Sequence, residues 1–155
     1  MEEKYLYKAK RKNWEEWIPE QQWMQGNLIV AQDRYFIIEC AKIDRYDALY
    51  MKEYAEIDPS TICRYTGLLD KNKNLIWEND IITISGYSYE EPEETHYGVV
   101  SYSDWNAGFC LVCENKWLPI CELEGDYKTE YFKHGNIYDN TELLKYQSEE
   151  QIEQE

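Results

Sequence analysis

The chain has 155 residues, of which 43% are hydrophobic and 15% aromatic, enough for a buried core and too apolar for a disordered polymer. Acidic side chains outnumber basic ones 31 to 16, and the formal charge of −15 repels the phosphate backbone of nucleic acids. No run of apolar residues is long enough to span a bilayer, and the first dozen residues, MEEKYLYKAKRK, lack the apolar centre of a signal peptide, so a cytoplasmic protein is expected. Five cysteines without an export signal fit reduced, buried thiols better than a disulfide framework.

Fifteen Tyr and six Trp against three Phe favour strands whose side chains carry a polar edge to water. Residues 4–10 alternate weakly, Tyr5 and Tyr7 against Leu6, and read as an edge strand protected by its lysines. Trp14, Trp17 and Trp23, with Pro19 and Gly26, suggest a packed loop. Residues 27–31 and 35–40 flank Gln32, Asp33 and Arg34 as a β-hairpin. In residues 41–57, Ile43, Tyr46, Leu49, Tyr50 and Tyr54 fall near helical spacing, which allows a short amphipathic helix or a loop. Asp58-Pro59-Ser60 ends that segment, and a boundary there separates an N-terminal subdomain, 1–58, from a barrel-like C-terminal one, 59–147.

Residues 65–69 and 75–77 read as a second hairpin around the turn-forming DKNKN at 70–74. Glu78-Asn79-Asp80 then breaks the chain before the strand of residues 81–84, and Asp80 is expected to accept backbone N–H groups at the bend. Residues 85–96 are polar and form an exposed loop. Strands at 97–103 and 108–113 are joined across Asp104-Trp105-Asn106-Ala107, and the run at 117–123 holds Pro119, a mark of an edge strand. Residues 131–138 close the sheet. Asn140 starts a capped helical turn, and residues 148–155 form a disordered acidic tail. The fold class is therefore mainly β, a small antiparallel barrel or sandwich with a hairpin-containing N-terminal subdomain and at most short helices.

The stretch YTGLLDKNKNLIWENDIITI at 65–84 and the stretch GNIYDNTELL at 135–144 resemble the two signature blocks of the YopX family. That family comprises small proteins of phages, prophages and related mobile elements whose biochemical role is unsettled. The resemblance covers most of the chain up to about Leu144 and implies an all-β core. Members commonly carry glycine where this chain has Asn74 and Asn79; asparagine is the best non-glycine tenant of a left-handed turn position.

Motifs for chemistry are scarce. Cys110 and Cys113 have the spacing of a redox pair, but three residues along a strand send side chains to opposite faces. Cys40, Cys63, Cys121, His96 and His134 supply no second paired motif for zinc, so neither metal nor cofactor is expected. His96 reads as a solvated loop residue and His134 as a turn residue. No nucleophile elbow, phosphate loop or dinucleotide fingerprint is present, and no catalytic residue is assigned. The expected function is non-catalytic protein binding by an accessory protein of a mobile element. The candidate contact surface combines the acidic knot Glu90, Glu91, Glu93 and Glu94 with Tyr102 and Trp105. Its partner would be a host or phage protein, and unpaired sheet edges also predict self-association. The alternative is a nucleic-acid binder using aromatic stacking and a basic arm made of Lys4, Lys8, Lys10, Arg11 and Lys12.

Overall fold

The computed structural model describes residues 6–86, 94–114, 116–120 and 129–144. The chain divides into two compact units, residues 1–65 and 66–155, and is mainly antiparallel β; among the described residues no sheet closes into a barrel. The expected acidic tail at 148–155 lies outside the described residues.

In the first unit, β1 (Tyr7–Lys10), β2 (Trp23–Ala31), β3 (Arg34–Ile43), β4 (Leu49–Glu56) and the start of β5 (Cys63–Leu69) follow the order β4-β3-β2-β1-β5. The hairpin expected at 27–40 forms, with Ala31 opposite Arg34 and Asn27 opposite Ile38. Alternation along β1 sends Tyr7 and Ala9 to an apolar core with Met24, Ile37 and Ile57, and Lys8 and Lys10 to the other face.

Residues 7–10 are an interior strand, paired to β2 on one side and β5 on the other, and their lysines guard no edge. Trp23 and Gly26 belong to strand β2; Trp14 lies in the 3-10 turn Trp14–Glu16, which Trp17 ends, and Pro19 in a second one, Pro19–Gln21. Gly26 is in the strand because the carbonyl of Ile38 occupies the place a Cβ would take.

Residues 41–56 are strand and turn, not helix. β3 runs on to Ile43, and β4 returns along it from Ile43↔Leu49 to Phe36↔Glu56. The turn is held by Asp44, whose carboxylate accepts from the amides of Tyr46 and Ala48 at 2.7 and 3.0 Å, with Asp47 left-handed at φ 59°. A short polar loop with an Asx turn makes hairpin geometry available where side-chain spacing alone allowed a helix.

In the second unit the remainder of β5 pairs with β6 (Leu75–Trp77), and a five-stranded sheet follows the order β10-β9-β8-β7-β11. Its strands are β7 (Asp80–Ser85), β8 (Thr95–Ser103), β9 (Gly108–Cys113), β10 (Lys116–Pro119) and β11 (Glu130–Asn136). Pro119 lies on an edge strand, as its missing N–H requires. Strand β11 forms the opposite edge and leaves the sheet open. The core gathers Leu68, Ile76, Ile82, Ile84, Val100, Leu111, Ile120 and Tyr131.

The β5–β6 turn is organised by Asp70, 4% exposed, which accepts from the amides of Asn72 and Asn74 at 2.9 and 2.8 Å and from Asn74 Nδ2 at 3.1 Å. The left-handed residue of this turn is Lys73, φ 64°, one position before the expected Asn74. Asn74 instead uses its amide groups to satisfy Asp70.

Asn79 is left-handed at φ 70°, as expected, and Asp80 is fully buried. Asp80 Oδ2 accepts from the Trp77 amide at 2.8 Å and meets Lys133 Nζ at 3.1 Å. Asn79 donates to the Val100 carbonyl at 2.7 Å and accepts from the Ile137 amide at 3.0 Å, while its side chain reaches Tyr138 Oη at 3.1 Å. The two motifs at 65–84 and 135–144 thus meet in one polar knot.

Asn136 holds the far side of this knot by accepting from the amides of Tyr138 and Asp139 at 2.9 and 3.0 Å. Asn140 Oδ1 accepts from the Asn136 amide at 3.1 Å, so the side chain expected to cap the last helical turn closes the preceding one instead. Gly135 leaves room for it; a Cβ there would collide with the Asn140 side chain.

Removing one partner of a buried, hydrogen-bonded charge pair strands the other. Asp80→Ala is expected to lower stability by about 3 kcal/mol in urea unfolding, and Asp80→Asn by less because it keeps an acceptor for Trp77.

Candidate functional site

The core of the first unit ends at Ile37 and Ile38 on β3 and at Ile57 just after β4. Beyond those residues the β3–β4 hairpin continues as an arm with little sheet behind it. All of the first six residues of β4 are exposed. The arm carries Ile43, 68% exposed, Tyr46, 76%, and Leu49, 72%, followed by Tyr50, Met51 and Tyr54 at about half exposure. Single exposed apolar residues are ordinary on protein surfaces; here six lie on one hairpin, with the pairs Ile43↔Leu49 and Ala41↔Met51 facing one way and Lys42↔Tyr50 the other.

Charge sets the arm apart as well. Over residues 41–55, Lys42, Arg45 and Lys52 balance Asp44, Asp47 and Glu53, so the segment is neutral and the remaining residues carry the whole −15. Sequence reasoning missed this surface because apolar residues in a strand or helix are normally read as core. The available signal was the failure of Ile43, Tyr46, Leu49 and Met51 to keep the alternation of a half-buried strand.

Of the residues expected to form a contact surface, the described ones, Glu94, Tyr102 and Trp105, do not form one cluster. Glu90, Glu91 and Glu93 lie outside the described residues. Glu94 is exposed just before β8, whereas Trp105, 96% exposed, stands in the β8–β9 turn past its other end. The nine residues of β8 between them span about 30 Å at about 3.3 Å per residue. Tyr102 is half-buried, its ring edge-on to Phe109 at 5.4 Å. Glu94 and Trp105 therefore belong to opposite ends of the sheet.

The basic arm is also largely committed. Lys10 is 1% exposed, with Nζ 3.8 Å from the centroid of the Trp14 ring, 5.4 Å from that of Trp23 and 3.1 Å from Gln22 Oε1. Lys8 Nζ lies 4.7 Å from the Trp23 centroid, and the Arg11 guanidinium 4.6 Å from that of Trp17. Lys12 reaches Glu56 at 3.5 Å, beside a two-bond Arg34–Glu56 pair at 3.1 and 2.8 Å. Lys4 is outside the described residues. Aromatic faces accept desolvated cations well, so these side chains act as a lid of Trp rings over buried ammonium groups.

Neither histidine sits where the sequence reading placed it. His96 is in β8, its side chain 13% exposed and 3.7 Å from a Glu94 carboxylate oxygen. It lines a cleft with Tyr97, Cys113, Glu114 and Lys116. Burial pushes the Cys113 thiol above its ordinary value of 9.0, so it stays protonated at neutral pH and is a poor nucleophile. Cys110 is fully buried, and Cys40, Cys63, Cys110 and Cys113 are all free thiols. Among the described residues no group of three His, Cys, Asp or Glu side chains could hold a metal ion.

His134 is the extra residue of a bulge in β11, where the register with β7 shifts between Lys133 and Gly135. Its ring lies 4.9 Å from Phe132 and 5.5 Å from Tyr97, and Nε2 is 2.6 Å from Thr83 Oγ1. Burial lowers its pKa from the ordinary 6.5. The unfolded chain therefore takes up this proton first, and stability falls as pH drops below about 6.5 toward the folded value.

Two measurements test these placements. Lys10→Ala is expected to cost about 2 kcal/mol in urea unfolding through lost cation–π contact and stem packing. The decline in melting temperature between about pH 6.5 and pH 5 is expected to flatten in His134→Gln, and an unchanged slope would show that the imidazole is not responsible.

No curated protein and no solved structure matches the chain. The family model described as "YopX protein" matches residues 7–145, which is most of its length. With its two motif blocks joined at Asn79 and Asp80 and its all-β architecture, the chain belongs to the YopX family.

Proposed function

We propose that the chain is a non-catalytic protein-recognition module, an accessory protein of a phage or other mobile element acting in the host cytoplasm. The observation that carries this reading is the β3–β4 arm, whose exposed Ile43, Tyr46, Leu49, Tyr50, Met51 and Tyr54 extend past the core on a neutral segment. Tyr side chains suit such a role, since they bring large contact area and a polar tip at small entropic cost. The dense negative charge elsewhere keeps the chain soluble and biases which proteins approach it.

A nucleic-acid role draws less support, because Lys8, Lys10 and Arg11 pack against Trp rings and the summed charge opposes phosphate. The cleft beside His96 supplies a protonated thiol in place of a reactive thiolate, and this favours recognition over catalysis.

A photo-crosslinking amino acid at Tyr46 is expected to give covalent polypeptide adducts in host cells, and the same residue at the exposed turn position Lys71 to give none. Absence of adducts from position 46 would end the reading. In gel shifts at low salt, neither single- nor double-stranded DNA is expected to be retarded below about micromolar protein.

A further inference from the structure

We infer that the occupant of the β3–β4 arm is a second copy of this chain, seated arm to arm about a two-fold axis; this rests on the recognition reading above. Three observations favour it. The first is charge. Two copies at −15 each repel over most of their surface, and the neutral segment of residues 41–55 is where they can meet without opposing like charges. A strongly basic partner would instead be drawn to the acidic remainder of the chain and gain nothing from a neutral apolar arm.

The second is area. Ile43, Leu49 and Met51 on one face of the hairpin, with Tyr46 at its turn, are half to three-quarters exposed and offer on the order of 500 Å². That is more than half of the ~800 Å² each partner contributes to a standard stable interface. An isologous contact uses the same patch twice, so one arm suffices for both sides.

The third is the form of the edge. Among the described residues β4 ends its sheet, with β3 alone beside it. The β3–β4 ladder slips twice around Cys40, passing over Glu39 on one strand and Lys52 on the other. Such bulges and an edge lysine resist simple addition of a foreign strand, and they leave side-chain packing as the mode of contact. A two-fold axis near Met51 sets that side chain against its own copy and brings Lys52 and Glu53 opposite Tyr50 and Leu49, so no like charges meet.

Sedimentation of the full chain across a concentration series, at about 20 mM and about 500 mM sodium chloride, tests this. A species of twice 18.7 kDa is expected, and its share should grow with salt as self-repulsion is screened. Leu49→Ser/Met51→Ser should weaken it at least tenfold while leaving the circular-dichroism spectrum unchanged. Should that variant unfold, Met51→Lys provides the same test. A lone 18.7 kDa species at both salts, a dimer that dissolves as salt rises, or one indifferent to both variants overturns the inference. A monomer that still gives adducts from position 46 defeats self-pairing alone, whereas a monomer without adducts defeats the recognition reading too.

Discussion

The second unit is organised around one buried carboxylate. Asp80 has no exposure, yet it takes the Trp77 amide at 2.8 Å and the Lys133 ammonium at 3.1 Å, fixing three strands at one point. The Trp77 bond shapes the β6–β7 turn, the register Asn136↔Asp80 places β11 against β7, and Asn79 in left-handed geometry hands its amide to Val100 on β8. Desolvating a carboxylate is expensive, so such a group persists where both partners are held in good geometry. Its structural return is register, because any slip of β7 would strand both the acid and the lysine.

The first unit solves the same problem of polar groups in a sheet interior by different means. One face of β1 packs Tyr7 and Ala9 against Met24, Ile37 and Ile57, a small core. The other face carries Lys8 and Lys10, and Trp14 and Trp23 cover them, giving each ammonium an aromatic surface where water has been excluded. The aromatic residues thereby do the work of a second layer. They cover the strands near β1 and stop short of the β3–β4 arm, which explains why the arm's apolar residues remain exposed.

Much of the fold was legible where backbone chemistry dictates it. Asn79 as a left-handed residue, Asp80 as an acceptor at the bend, Pro119 on an edge, and the hairpins at 27–40, 65–77 and 97–113 all follow from turn and strand rules that act locally. The errors arose where tertiary context overrides local pattern. Ile43, Tyr46, Leu49, Tyr50 and Tyr54 are spaced as a helix face would be, but a strand that buries neither face is under no obligation to alternate. Lys8 and Lys10 read as edge guards because nothing in the spacing reveals that Trp14 and Trp23 return over them. Asn140 was assigned to the turn that follows it and closes the one before, a choice governed by the space left at Gly135. The exposed arm was invisible as a surface for the same reason it was misread as an element.

Because the arm projects past Ile38 and Ile57, its tip bears almost none of the unit's internal packing. Substitutions, and even added residues between Ile43 and Leu49, can be tolerated there at little folding cost, since lengthening a surface loop raises closure entropy only slowly. The arm is thus a segment whose sequence can drift while the scaffold beneath it stays fixed.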